Sequence, residues 1–147
     1  MVQGSFELCN NSSIKIKGKS FDLNSFKSLN DILQKLAHEN KTKHISVIGN
    51  FNTELQLKNI FSKANEIDEA LSLLQHITRT IEESSIKFIS HVNGVVRGPA
   101  LELVLSCNCI KAEIDTSLDF TYTSEDIIPF FGSIQRIIKI LGYKKAL

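Results

Sequence analysis

Few side chains in this sequence have the spacing of a known catalytic or metal-binding motif. No two of the four histidines are four residues apart, the spacing that places two metal ligands on one face of a helix. These histidines are His38, His44, His76 and His91. Neither the Gly-x-Ser-x-Gly turn of a nucleophilic serine nor a phosphate-binding glycine loop of the Walker type occurs. We therefore expect no metal centre, and function must be sought in less familiar patterns.

Two side chains beside the Asn93-Gly94 pair are candidates for contact with a ligand. His91 either approaches a site from the end of a strand or is a histidine whose ring is satisfied within that strand. Arg97 either meets a phosphate or carboxylate or is an ordinary surface arginine. The sequence leaves both alternatives open.

The three cysteines are an odd number, which does not favour a disulfide framework. Cys107 and Cys109 are two apart in a predicted strand, so they are expected to share a face. We interpret them as buried, reduced thiols of a cytoplasmic protein and not as metal ligands.

Composition limits the classes of partner. The chain has 147 residues, 42% hydrophobic and 22% charged, with a formal net charge of +1, which predicts a single globular domain over residues 1–147. The charge balance argues against a nucleic-acid surface, and Lys15, Lys17 and Lys19 are interpreted as one solvated strand face. No apolar stretch approaches the roughly 20 residues of a membrane span, and residues 1–13 do not resemble a signal peptide.

Hydrophobic periodicity predicts strands alternating with helices. A turn at Asn10 to Ser13 separates two short strands, and a later apolar stripe predicts a long helix from about Asn65 to Glu83. The other predicted elements are a helix after Ser25, strands at 44–49 and 86–92, a helix at 99–106, a strand at 107–112 and a helix at 134–147. This order implies βαβ units and a largely parallel sheet. Ligands of such sheets bind at the carboxyl ends of strands, which directs attention to the loops at 49–55 and 92–99.

The segment from His91 to Leu103, HVNGVVRGPALEL, resembles the stretch A-V-N-G-x-x-x-G-G-G-x-E-L of the crotonase (enoyl-CoA hydratase/isomerase) family. The match continues in register through Cys107-Asn108, Ala112 and the segment IPFFGSIQR at 128–136, then Leu141-Gly142 and Ala146-Leu147. It covers residues 85–147 well, 45–84 loosely, and the preceding residues weakly. The resemblance implies an α/β fold of the crotonase type, a spiral of ββα units with a mainly parallel sheet. The family's C-terminal helices are not present, so we expect either a fragment or helices supplied from elsewhere.

The resemblance also implies a chemistry. Family members bind an acyl thioester, usually of coenzyme A, and two backbone N–H groups hold the thioester oxygen while one or two glutamates move protons. Glu102 falls on the first catalytic glutamate, although a glutamate in the first turn of a helix is also a favourable partner of the helix dipole. Tyr122 falls on the second, and a phenol is a poor general base at neutral pH.

The oxyanion-hole positions depart further from the family pattern. In the turn Gly98-Pro99-Ala100, Pro99 stands where the family has a glycine that donates its N–H, and proline has none. Proline does suit the first turn of a helix. The other donor is assigned to Thr53, with Glu54 and Gln56 in place of the family's glycine and aspartate. The N–H of Ala100 is a candidate replacement for the lost donor.

Three hypotheses follow. The favoured one is a catalytically impaired crotonase-fold protein acting as an acyl-thioester-binding or scaffold subunit. The second is an active isomerase, dehydratase or decarboxylase that uses Glu102 on a thioester of coenzyme A or an acyl carrier protein. The third is a structural module whose cavity is closed by side chains. In each case we expect no cofactor beyond the thioester, and a homo-oligomer of trimer type or a partner chain.

Overall fold

The computed structural model describes residues 5–39, 41–55, 64–120 and 132–142. These residues form nine strands and four helices. The strands are β1 (Phe6–Cys9), β2 (Ser13–Ile16), β3 (Ser20–Phe21), β4 (His44–Gly49), β5 (Glu54–Leu55), β6 (Lys87–Val92), β7 (Val95–Arg97), β8 (Cys109–Ala112) and β9 (Ser117–Asp119). The helices are α1 (Leu23–Glu39), α2 (Ala64–Glu83), α3 (Pro99–Ser106) and α4 (Ser133–Leu141).

The main sheet has five strands in the order β1-β2-β4-β6-β8. β1 runs antiparallel to β2, and all other neighbours are parallel, so the predicted mainly parallel sheet is confirmed. The predicted turn between β1 and β2 contains Asn10 and Asn11 with φ of 49° and 50°. Asparagine tolerates this left-handed region better than most residues, so the pair suits the connection.

The helices α1 and α2 pack against each other, and their buried apolar stripes form one core with the inward faces of the main sheet. The stripes contribute Leu29, Leu33 and Leu36 from α1 and Leu74, Ile77 and Ile81 from α2. Both stripes were predicted from helical periodicity. On the sheet, alternation buries Phe88, Ser90 and Val92 and leaves Lys87 and His91 exposed on the opposite face.

Two small parallel sheets were not predicted. β3 pairs with β5, and β7 pairs with β9. Strands of two or three residues are too short to show a period, so their existence depends on pairing partners distant in the sequence.

Several element bounds differ from the prediction, and three of them concern residues discussed above. The strand expected to begin at Cys107 begins at Cys109, because Cys107 closes α3 with its N–H donated to the Val104 carbonyl. β2 ends at Ile16, so of the three lysines expected on one strand face only Lys15 lies in the strand, and Lys17 and Lys19 follow its end. The helix α4 spans Ser133–Leu141, and the predicted extension over 143–147 lies outside the described residues.

Candidate functional site

The loop after β4 lies directly against the turn that leads into α3. The N–H of Arg97 donates to the carbonyl of Phe51 at 2.9 Å, and Asn52 and Arg97 form a parallel β-bridge. The N–H of Thr53 in turn donates to the Arg97 carbonyl at 3.4 Å. The two loops that were singled out at the carboxyl ends of the strands are therefore brought together by backbone hydrogen bonds.

Thr53 closes this junction with its side chain. Its hydroxyl donates to the Arg97 carbonyl at 2.7 Å and accepts the N–H of Ala100 at 3.1 Å. The residue is fully buried, with 0% of its surface exposed. The N–H groups of Thr53 and Ala100 are thus both engaged by the protein itself, and Pro99 between them in the predicted site has no N–H to offer.

Gly98 permits the close approach. Its φ is 65°, and a Cβ atom at this position would lie 2.3 Å from the carbonyl oxygen of Thr53. No side chain fits in that space. The glycine therefore serves the contact between the turn and Thr53.

Helix α3 is buried along its whole length. Pro99 is its first residue, the position where a missing N–H costs nothing and a fixed φ is helpful. Glu102 lies in its first turn and is 0% exposed. Glu102 is therefore not a surface residue, and its burial fits both the catalytic carboxylate and the partner of the helix dipole. A carboxylate in the interior requires compensating interactions, and the positive end of α3 supplies a favourable field there.

The position predicted to hold the second acid is Tyr122. Tyr122 lies outside the described residues, as does Gln56. The nearest described acid before Tyr122 is Asp119, the last residue of β9. Its Oδ2 lies 3.8 Å from Nε of Arg97, while Oε1 of Glu54 lies 3.9 Å from Nη1 of the same guanidinium. Arg97 is therefore flanked by carboxylates of the protein.

A cavity with a volume of ≈ 390 Å³ opens beside the Thr53 junction. This volume is within the range of small-molecule sites. Lys19, Ser20, Asn50, Asn52 and Glu54 line the cavity. Lys19, Asn50 and Asn52 were not predicted as site residues. Asn50 and Asn52 directly follow β4. Because ligands of parallel sheets bind at the carboxyl ends of strands, the position of these two residues could have predicted a role in the site. Lys19 was assigned instead to a strand face that the chain leaves at Ile16.

His91 lies on the exposed face of the main sheet and contacts the neighbouring strand. Its Nε2 lies 3.4 Å from Oγ of Ser46 on the neighbouring strand, and its ring is exposed on the face opposite the core. Within the described ranges, no group of three or more His, Cys, Asp and Glu side chains is placed to hold a metal ion. None of the helices in those ranges is both long and apolar enough to cross a lipid bilayer.

The cysteines depart from the prediction of a shared, buried face. All three thiols are free, but Cys109 is exposed at the start of β8. Cys107 donates its S–H to the carbonyl of Leu103 at 3.2 Å, and burial of the sulfur raises the pKa of this thiol to about 12. A thiol held in its protonated form is a weak nucleophile, so Cys107 plays a structural part.

Comparison with known proteins points in one direction. No protein-family profile matches the chain. The chain is 33% identical over 82 residues to an enoyl-CoA isomerase/hydratase of Mycosarcoma maydis, which covers 55% of this chain and 30% of that protein. It is 28% identical over 115 residues to the peroxisomal fatty acid beta-oxidation multifunctional protein of Arabidopsis thaliana, which covers 73% of this chain and 16% of that one. It therefore spans less than a third of the length of either relative.

In structure, the chain superposes on an enoyl-CoA hydratase from Bacillus anthracis with a TM-score of 0.82 and 22% sequence identity. The superposition covers 97% of this chain and 60% of that chain. The arrangement of strands and helices around α3 is thus one found in solved enzymes, whereas the residues that fill it differ at most positions.

Proposed function

This chain has the crotonase fold and is similar in sequence to enoyl-CoA hydratase/isomerase proteins, and we infer that it is a catalytically impaired relative of them. Its proposed role is that of an acyl-thioester-binding or scaffold subunit, with the acyl group carried on coenzyme A or an acyl carrier protein. The three free cysteines accord with a cytoplasmic setting, which we include in the proposal.

One observation carries the inference: the hydroxyl of Thr53 accepts the N–H of Ala100. Stabilising a thioester oxygen requires two N–H groups aimed at the place where negative charge develops. Pro99 supplies none, and the Ala100 N–H that could replace it already has an acceptor inside the protein. Loss of a single such donor typically costs about 3–4 kcal/mol of transition-state stabilisation.

The second support is the residue type at the position of the family's second catalytic glutamate. Tyr122 stands where the resemblance places a glutamate, and a phenol does not readily take a proton at neutral pH. Loss of a general acid or base typically lowers the rate by a further ~10²–10⁴-fold. The two losses together leave little capacity for hydration of an enoyl thioester.

An alternative keeps catalysis. The complete burial of Glu102 in the first turn of α3 favours a functional carboxylate, since an exposed position would satisfy its charge more cheaply. On this alternative the chain is an isomerase, dehydratase or decarboxylase of acyl-CoA or acyl-carrier-protein thioesters that shuttles one proton through Glu102. The Thr53 hydroxyl would then have to release the Ala100 N–H when a thioester binds.

The decisive experiment is restoration of hydratase activity. Hydration of crotonyl-CoA is followed spectroscopically for the wild type, for Pro99→Gly/Tyr122→Glu, and for that variant with Thr53→Ala added. We expect no measurable hydration by the wild type and detectable hydration by the double variant. We expect a further rise of about 100-fold when Thr53→Ala frees the Ala100 N–H, the typical effect of one oxyanion donor.

Glu102→Gln in the triple variant is the control, and it should abolish the restored activity. Wild-type turnover that disappears in Glu102→Gln would contradict impairment and establish the alternative. Calorimetric titration of the wild type with butyryl-CoA separates the two proposed roles. Saturable binding supports a thioester-binding subunit, whereas its absence supports a scaffold whose cavity is closed.

A further inference from the structure

A second cavity, with a volume of ≈ 380 Å³, opens at the carboxyl ends of β4, β6 and β8. It lies on the exposed side of the main sheet and shares no lining residue with the cavity beside Thr53. Its polar side chains are His91, Asn93, Lys111 and Glu113. The carboxyl ends of parallel strands are the usual place for ligands of α/β sheets, and the volume is that of a small-molecule site.

The register of β6 and β8 brings the side-chain nitrogens of His91 and Lys111 close together. His91 of β6 and Lys111 of β8 are paired at Cα positions, so their side chains stand side by side on the same face of the sheet. Ser90 and Val92 on either side of His91 are buried, which confirms that His91 points away from the core. The contact between His91 Nε2 and Ser46 Oγ, at 3.4 Å, braces the ring from the other side.

The sheet face leading to this cavity is positively charged. Lys15, Lys87 and Lys111 are exposed on it, and none of them forms an ion pair with a described residue. The single acid on the strands of this face, Glu7, is held by the ammonium of Lys17 at 2.6 Å. The hydrogen bond and charge of Lys17 lower the pKa of Glu7, so it stays ionised and engaged.

Two further groups define the rim of the cavity. Asn93 follows β6 and offers an amide that can donate hydrogen bonds. Glu113 follows β8, and its N–H donates to the Val92 carbonyl at 3.0 Å, which ties the two strand ends together. Its carboxylate repels an anion and so lowers the affinity of the cavity for one. Removing that charge is therefore expected to tighten the binding of an anion, whereas removing a lysine charge weakens it.

We propose that this cavity binds a phosphate group through the ammonium of Lys111, the ring of His91 and the amide of Asn93. Lysine and histidine nitrogens beside an amide donor suit the oxygens of a phosphate, free or carried on a small metabolite. The residues of this cavity are different from those of the Thr53 junction and of the cavity beside it.

The test is an NMR titration of the intact chain with inorganic phosphate, then with glycerol 3-phosphate, at constant ionic strength with chloride as the balancing anion. We expect saturable amide shifts centred on His91, Asn93, Lys111 and Glu113. Tighter binding of glycerol 3-phosphate would assign the phosphate to a metabolite, whereas equal or tighter binding of inorganic phosphate would assign it to the free ion. No thioester is used, so the result is separate from that of the hydratase experiment.

Matched variants decide whether the cavity is a site. Lys111→Gln should weaken phosphate binding at least about fivefold, the effect expected from one charge-assisted contact. Lys87→Gln removes the same charge from the same sheet face outside the cavity and should change binding less than about twofold. Glu113→Gln should tighten binding. Equal losses in Lys87→Gln and Lys111→Gln, or shifts spread evenly over the basic face, would overturn the proposal.

Discussion

Thr53 makes three of the hydrogen bonds that hold the loop after β4 against the turn before α3. Its hydroxyl alone joins the Arg97 carbonyl to the Ala100 N–H, and no solvent reaches it. Replacement by valine keeps the shape but leaves the Ala100 N–H without its acceptor, and the Arg97 carbonyl keeps only the 3.4 Å bond from the backbone N–H of residue 53. We expect Thr53→Val to lower the free energy of unfolding by about 1–3 kcal/mol, measured by urea denaturation.

Thr53→Ser is the matched control, because it keeps the hydroxyl and removes only the methyl group. It should cost about 1 kcal/mol. A loss of stability in Thr53→Val that is smaller than the loss in Thr53→Ser would show that the methyl, and not the hydroxyl, stabilises the junction. In that case the Ala100 N–H would be less firmly held, and the active alternative would gain.

At the scale of the element, the turn between β7 and α3 depends on a glycine for two distinct reasons. Gly98 has a φ of 65°, and a Cβ on it would lie 2.3 Å from the Thr53 carbonyl oxygen. Gly94, between β6 and β7, has a φ of 62° but no heavy atom within 4 Å of a Cβ. Both alanine variants should pay the cost of a left-handed backbone, about 1–2 kcal/mol. Only Gly98→Ala should pay a further ~1–3 kcal/mol for overpacking.

The free energies of unfolding of Gly98→Ala and Gly94→Ala are compared by urea denaturation. A difference of less than about 1 kcal/mol between them would mean that the turn moves away from Thr53 at little cost. The family resemblance placed Gly98 in the thioester-binding turn. In the structure, the glycine at this position allows the close approach of Thr53.

Elements with a strong period were predictable, and short ones were not. The stripes of α1 and α2 were recognised because each repeats over several turns. The parallel order of β2, β4, β6 and β8 followed from alternation of strands and helices. β3, β5, β7 and β9 hold two or three residues each, so they acquire their structure from pairing and not from a local pattern.

At the scale of the whole molecule, several large apolar side chains remain exposed. On α4, Ile134, Ile140 and Leu141 are 46%, 53% and 46% exposed, while Ile137 packs against the core and Arg136 binds Glu82 of α2 at 2.7 Å. The helix is thus held in place by one side, while these three side chains are exposed. The homo-oligomer of trimer type that the resemblance implies stays a prediction, and this surface is its candidate contact.

The corresponding variant is Ile134→Lys/Ile140→Lys, examined by sedimentation velocity. We expect the wild type to sediment as an oligomer and the variant as a monomer, because burial of two isoleucines is replaced by desolvation of two charges. Ile114→Lys is the control, since Ile114 is fully exposed in the loop between β8 and β9 and should not change the mass. At about 100 µM an interface of this kind is expected to be occupied. A wild type that stays monomeric at that concentration would contradict self-association.

The sequence by itself predicted a mainly parallel α/β fold, from the periods within its elements, and determined the absence of an N–H at Pro99, from residue identity. The register of Gly98, Pro99 and Glu102 is what the family resemblance implies. Tertiary structure alone decided that the Ala100 N–H is held by Thr53, 47 residues away, that Glu102 is buried, and that Lys19 lines a cavity. The physical reason is that a hydrogen bond or a buried charge depends on which distant residues share a space, and no local pattern records that.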